Sequence, residues 1–253
     1  MFQVFLFTAI FALLSCTKAD NTAALPTDDD KEHEEETVVP EWELKFEENF
    51  DGDAVNLADW YIYNSAGHNG NGLRRPSAFA VADGILTVTA QMVDNILISG
   101  GMAHKINYKY GKFEARVRAD DDPSIATSAV LLTWPQSERW PIDGENDFYE
   151  TTTNRRQSFH SYIHYGSTYA TKKQYHKEHK FDAKEWQVVA MEWEAEHIKI
   201  YVNGELQWTL SDKKAIPHVP HHLCIQLDAF KRQMGSPVRM QVDWVKVYQR
   251  KNG

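Results

Sequence analysis

From Trp42 onward, apolar and polar side chains alternate in short runs and do not recur at helical spacing. Gly84-Ile-Leu-Thr-Val-Thr-Ala90 and Lys112-Phe-Glu-Ala-Arg-Val-Arg118 both read as half-buried strands. Ile198-Lys-Ile-Tyr-Val202 and Glu205-Leu-Gln-Trp-Thr-Leu210 flank Asn203-Gly204. That dipeptide tolerates the positive φ angles of a tight type I′ turn, so the segment predicts a hairpin. Asp83-Gly84 marks a second turn. Helical pattern is confined to short turns near Asn56–Trp60 and Ala183–Glu185. Strands at this density predict one all-β domain over residues 41–253, a sandwich or jelly roll.

The preceding segment differs. Phe2–Leu14 is apolar and short for a membrane span, and Leu13-Leu14-Ser15-Cys16 follows. This reads as an export signal over residues 1–15. Residues 16–40 are acidic, polar and proline-containing, too poor in apolar surface to fold, and read as a flexible tether. Nine acids against two lysines give positions 18–41 a charge of −7, which leaves −2 of the chain's −9 for the rest. A near-neutral domain has no basic field for nucleic acid and suits a neutral or modestly charged polysaccharide. The chain has two cysteines, Cys16 and Cys224. Cys224 reads as an inert buried strand residue.

The densest chemistry lies in Gly144-Glu-Asn-Asp-Phe-Tyr-Glu150, with Trp140-Pro141 just before it. In a strand, Glu145 and Asp147 share a face. Strict alternation would put Tyr149 beside them and turn Glu150 into the apolar layer, where a lone carboxylate is costly. One extra residue, a β-bulge, returns Glu150 to the first face, and bulges gather beside active sites. The expected product is a row of three carboxylates on one wall, suited to glycoside hydrolysis. A solvated edge strand is the plainer alternative.

Trp140-Pro-Ile-Asp-Gly-Glu-Asn-Asp-Phe-Tyr-Glu150 resembles the bulged Glu-x-Asp-x-x-Glu signature of glycoside hydrolase family 16. Phe46–Gly52 with Trp60, Tyr110–Arg118, Glu192–Gly204 and Val242–Gln249 resemble other segments of the family, in order. The resemblance implies a concanavalin-like β-jelly roll of two curved antiparallel sheets with a concave cleft. It implies a retaining, endo-acting glycosidase with Glu145 as nucleophile, Asp147 as assisting acid, Glu150 as general acid/base and His164 facing the cleft. Laminarin-type β-1,3-glucan is the leading expected substrate, with agar-like or sulfated galactans behind it. The alternatives are a non-catalytic carbohydrate-binding protein on the same scaffold, and a transglycosylase. Leu13–Cys16 resembles a bacterial lipobox, which implies acylation of Cys16 and a monomer anchored in the outer membrane. The chemistry implies no cofactor. The family also implies a structural calcium, here matched to Glu48, the Gly84 carbonyl and Asp243.

Further candidates follow from residue type. Trp140 reads as a sugar-stacking wall, and Trp134 fits either a subsite or the core. Trp193 and Trp244 read as core. Tyr165 and Tyr169 are expected to line the cleft. His68, Asn69, Asn71, Arg74 and Arg75 lie in a Gly-rich stretch suited to binding, the arginines toward an anionic sugar. His176 and His179, and His218, His221 and His222, read as surface-loop histidines. Asn146 stands where the family prefers an apolar residue, so its amide needs partners.

Overall fold

The computed structural model describes residues 42–251. The expected signal, the lipid-acceptor Cys16 and the tether lie outside the described residues. The chain opens with β1 (Trp42–Glu48), β2 (Trp60–Ile62), β3 (Ser65–Ala66), β4 (Leu73–Arg74), β5 (Phe79–Ala82) and β6 (Ile85–Val93). It continues through β7 (Ile96–His104), β8 (Gly111–Ala119), β9 (Thr127–Pro135), β10 (Glu145–Glu150), β11 (Phe159–Tyr165) and β12 (Lys173–His179). It closes with β13 (Gln187–Trp193), β14 (Ile198–Val202), β15 (Glu205–Leu210), β16 (His221–Ala229) and β17 (Val238–Arg250).

These strands form a jelly-roll sandwich. One layer runs β12-β11-β10-β9-β16-β7-β2, all antiparallel. The other is built on β17, which pairs with β8 on one side and with β6 and β1 on the other. It extends through β13, β14 and β15. The far end of β6 leaves that layer and pairs with β7, which joins the two sheets. Alternation drives the assembly. In β8, Phe113, Ala115, Val117 and Ala119 are buried while Lys112, Glu114, Arg116 and Arg118 face outward. The inner faces meet in one apolar layer that includes Leu86, Val88, Phe113, Leu131, Phe148, Met191, Trp193 and Ile225. A separate small cluster of Ala103, Val130, Leu132 and Cys224 lies on the other side of the first sheet, under Tyr63 and Trp134.

The predicted hairpin turns with both central residues at positive φ, Asn203 at 51° and Gly204 at 84°. Asp83-Gly84 turns in the same way. A third such turn, Asp94-Asn95 between β6 and β7, carries no glycine and escaped the sequence reading. The expected helical turns are single hydrogen-bonded turns. Trp60 N–H donates to the Asn56 carbonyl and Glu185 N–H to that of Asp182.

One expectation is corrected by the outer layer. A bulge between Val242 and Trp244 sends both Asp243 and Trp244 outward. Trp244 is therefore not core; Lys246 Nζ stands 5.1 Å over its ring. The carboxylates expected at a calcium site have protein partners. Asp243 is paired with Arg116, and Glu48 accepts from Phe50 N–H at 2.8 Å and from Trp60 Nε1 at 3.3 Å.

Asn146 faces the core, fully buried. Its Nδ2 donates to Thr133 Oγ1 at 3.0 Å, but its Oδ1 has no partner. Thr133 Oγ1 keeps a second partner in His221 Nδ1. Replacing the amide by an apolar group of similar size removes one unpaired acceptor and strands nothing. Urea unfolding of Asn146→Val is expected to show stability unchanged or raised by up to about 1 kcal/mol. A loss above that amount would show that the fold needs the amide.

Candidate active site

Strand β10 carries the acid row, and its local sequence decides how it is presented. Gly144 enters the strand at φ 80°, and a Cβ there would lie 2.6 Å from Pro217 Cγ. The turn ahead of it is fixed by an Arg139–Asp143 ion pair and by His221 Nε2, 3.0 Å from the Asp143 carbonyl. Along β10, Glu145 faces His164, Asp147 faces Tyr162 and Glu150 faces His160 on β11. On β9, Asp147 faces Leu132 but Tyr149 faces Leu131, so Phe148 is the extra residue. Phe148 and Tyr149 are both buried in the core layer. Glu145, Asp147 and Glu150 all line one cleft of about 840 Å³. The free Phe148 carbonyl accepts from Ser161 Oγ at 3.0 Å, which satisfies the backbone group that the bulge releases.

The row is held by few donors. His164 Nε2 lies 3.0 Å from Asp147 Oδ2. Ser128 Oγ donates to Glu150 Oε1 at 3.0 Å and to the Thr151 carbonyl at 2.9 Å. The Trp140 indole N–H makes no hydrogen bond of good geometry but lies close enough to Glu145 to favour its charged form. Burial pushes Glu145 well above the usual carboxylate range, and Asp147 beside it adds to the rise while His164 opposes it. Burial likewise holds Asp147 well up, with Glu150 adding. Burial raises Glu150, against the opposing pull of Ser128 and His164. Ligand atoms of Glu145, Asp147 and His164 lie within 4.8 Å of one another, the one such three-residue grouping of acids, histidine and cysteine among the described residues. The same closeness lets the carboxyls share protons.

Trp140, Trp134, His164 and Arg74 line the cleft, as do Tyr169, His68 and Asn69. Trp134 Nε1 donates to Glu138 Oε2 at 2.8 Å, which fixes its plane at the cleft edge. Three expected residues do not line it. Tyr165 follows His164 on β11, so alternation turns it to the opposite face, stacked on Tyr175 at 5.6 Å. Arg75 is turned away from Arg74 by the same alternation and donates to the carbonyls of Ser65 and Arg74. Asn71 spends its amide on the Phe230 carbonyl.

The histidine expectations are corrected too. His176 and His179 lie on β12, not in a loop. His179 is buried against Ser161 Oγ at 3.0 Å, and burial lowers it to about 4. His221 is buried between Thr133 and Asp143 and also falls to about 4. His222 lines the cleft and meets Asn107. Sequence reading also missed Tyr61, Tyr63, Ser128, Tyr162, Lys172 and Asp228. Tyr162 was within reach, two positions before His164 on the same strand face. Asp228 meets Arg74 across 154 positions, and no local pattern announces that.

The sequence profile described as Glycosyl hydrolases family 16 matches residues 72–246. No curated protein matches the chain. Among solved structures, the laminarinase from Rhodothermus marinus superposes with a TM-score of 0.72 at 21% identity, over 84% of this chain and 99% of that one. The laminarinase catalytic domain from Thermotoga maritima gives 0.71 at 20%, over 83% and 99%. A family 16 endo-glucanase from Bacteroides ovatus gives 0.69 at 18%, over 80% and 99%. At these identities the likeness is one of fold.

The raised carboxyls have a consequence for stability. A group whose pKa is higher in the folded state favours folding below its unfolded value, near 4, and this contribution is lost as pH rises through the folded value. Asp147 therefore opposes folding at neutral pH. Asp147→Asn is expected to unfold at higher urea than wild type at pH 7, with the gap closing as pH falls toward about 4. A variant no more stable than wild type at pH 7 would contradict this.

Proposed function

Because the chain belongs to glycosyl hydrolases family 16 and is a glycosidase, we propose that it is an endo-acting, retaining enzyme whose leading substrate is a β-1,3-glucan of the laminarin type. The observation that carries this reading is the acid row: Glu145, Asp147 and Glu150 line one cleft because Phe148 is extruded from the ladder. Glu145 attacks the anomeric carbon. Glu150 protonates the leaving oxygen and then takes a proton from the water that frees the glycosyl-enzyme. Asp147, held by His164, bridges the two and adjusts their charge.

The proton inventory supports these roles. Burial and mutual repulsion raise all three carboxyls, which favours a proton in the row, as the acid step requires. His164 and the Trp140 N–H favour the charged form of Glu145, as attack requires. Substrate support is of two kinds. Several proteins that share the fold are described as laminarinases. The cleft draws its lining from the β2 end of the sheet to β12 and offers Tyr61, Trp134, Trp140, Tyr162 and Tyr169, whose rings can stack on sugar faces. A cleft that crosses the sheet suits an internal segment of a polymer. Export and anchoring through Cys16 rest on the sequence, and labelling with a lipid precursor tests them.

Reducing-end release from β-1,3-glucan tests the catalytic reading. Glu145→Gln is expected to lose activity by about 10⁴-fold or more, and Glu150→Gln by about 10²–10⁴-fold. The wild-type rate should fall on the alkaline side only above the usual carboxylate range, because burial raises Glu150. Wild-type rates in Glu145→Gln would remove the assignment.

A further inference from the structure

The Gly-rich stretch with adjacent arginines suggests an anion site from sequence, and the structure points the other way. Arg74 reaches into the cleft, but its guanidinium is occupied. Nε donates to Asp228 Oδ1 at 3.1 Å, and Nη2 pairs with Oδ2 in a bidentate bridge. Asp228 is 3% exposed. Its Oδ1 also accepts from His68 N–H at 3.3 Å and from Ala229 N–H at 2.9 Å, so it anchors the start of the loop as well as the arginine. Below, the Arg74 guanidinium carbon sits 5.5 Å from the Tyr63 ring centroid. Tyr63 lies flat on Gly101, where a Cβ would come within 2.6 Å of the ring, and its hydroxyl meets Cys224 Sγ at 3.3 Å. The guanidinium is thus held as a neutralised plate on a fixed aromatic base.

The other cationic side chains of the cleft are engaged as well. Lys172 Nζ lies over Tyr169 at 4.3 Å and Trp140 at 5.2 Å. Lys105 Nζ donates to the Leu57 carbonyl at 2.5 Å. Across the floor, three carboxyls have only a histidine, a serine and an indole beside them. A sulfate or carboxylate on the sugar would face that row, while the cations lining the cleft are an arginine already paired with Asp228, a lysine held over two rings and a lysine turned to a carbonyl.

We propose that the Arg74–Asp228 ion pair is a specificity determinant that closes this cleft to anionic polysaccharides and reserves it for uncharged ones. The proposal rests on the glycosidase reading above and names the pair of residues that would enforce an uncharged substrate. Asp228 does so by neutralising the one guanidinium placed to receive an anion: it takes two of the five N–H donors and cancels the charge, so an incoming anion meets a neutral pair. Releasing Arg74 would reverse the preference, and removing it would sharpen it.

The test uses the full chain and a matched set of polymers: a β-1,3-glucan, its carboxymethyl derivative, and a hydroxyethyl derivative that carries similar bulk without charge. Initial rates give kcat/KM, and affinity electrophoresis at low salt gives binding. Wild type is expected to prefer the hydroxyethyl over the carboxymethyl polymer by roughly tenfold or more. Asp228→Asn, which keeps the acceptor for His68 and Ala229, should narrow that ratio. Arg74→Gln, which leaves Asp228 charged, should widen it. Equal treatment of the two polymers by wild type, or a ratio that does not move in opposite directions in the two variants, overturns the proposal. If Asp228→Asn fails to fold, Arg74→Gln decides alone: a wider ratio supports the proposal and a narrower or unchanged one overturns it. If no polymer is cleaved, the hydrolase reading fails, and the electrophoretic ratio still reads the ion pair.

Discussion

The extrusion of Phe148 from the β10 ladder is the constraint on which the rest depends. A regular strand would have put Tyr149 in the cleft and Glu150 between the sheets, where an unpaired carboxylate is costly. With the extra residue, two consecutive aromatics enter the core and the third acid returns to the face of the first two. The neighbouring strand accommodates this through Ser161, whose hydroxyl takes the released Phe148 carbonyl. The Tyr149 hydroxyl pays for the arrangement, buried near Arg156 without a hydrogen-bond partner.

The site works against the stability of its own fold. Three carboxyls are gathered where burial raises each of them. That gathering is what lets one carry a proton while another stays charged, which is the division of labour glycoside cleavage needs. The sheet beneath is correspondingly firm. Ala103, Val130, Leu132 and Cys224 form an apolar floor, and burial pushes the Cys224 thiol up to about 12, which keeps it unreactive.

What the sequence disclosed is what local physics encodes. The Asn203-Gly204 hairpin was legible because few other dipeptides accept two positive φ angles. The bulge was legible because an unpaired buried carboxylate is costly, so the spacing of Glu145, Asp147 and Glu150 pointed either to a bulge or to a solvated edge strand, and the family signature favoured the bulge. Tyr165 was misread although the rule that excludes it is local: proximity in sequence to His164 outweighed alternation. Trp244 was misread because a bulge at Asp243 shifted its face. The histidines at 179 and 221 were misread because histidine reads as polar, whereas His179 is the one buried residue at the end of the otherwise exposed β12 and His221 opens the buried β16. The role of Arg74 was invisible for a different reason. Its partner lies on β16, and only the closed sandwich brings them together.

The bulge places Glu150 and Glu145 in one groove, and the proposed double displacement requires their carboxyls to stand close together. The stereochemistry of the first product tests it directly. Proton NMR of a β-linked oligosaccharide at the start of hydrolysis should show the β-anomer first, with the α-anomer appearing only as mutarotation proceeds. Immediate release of the α-anomer would mean that the carboxyls stand too far apart for a covalent intermediate, and the account of the row would be wrong.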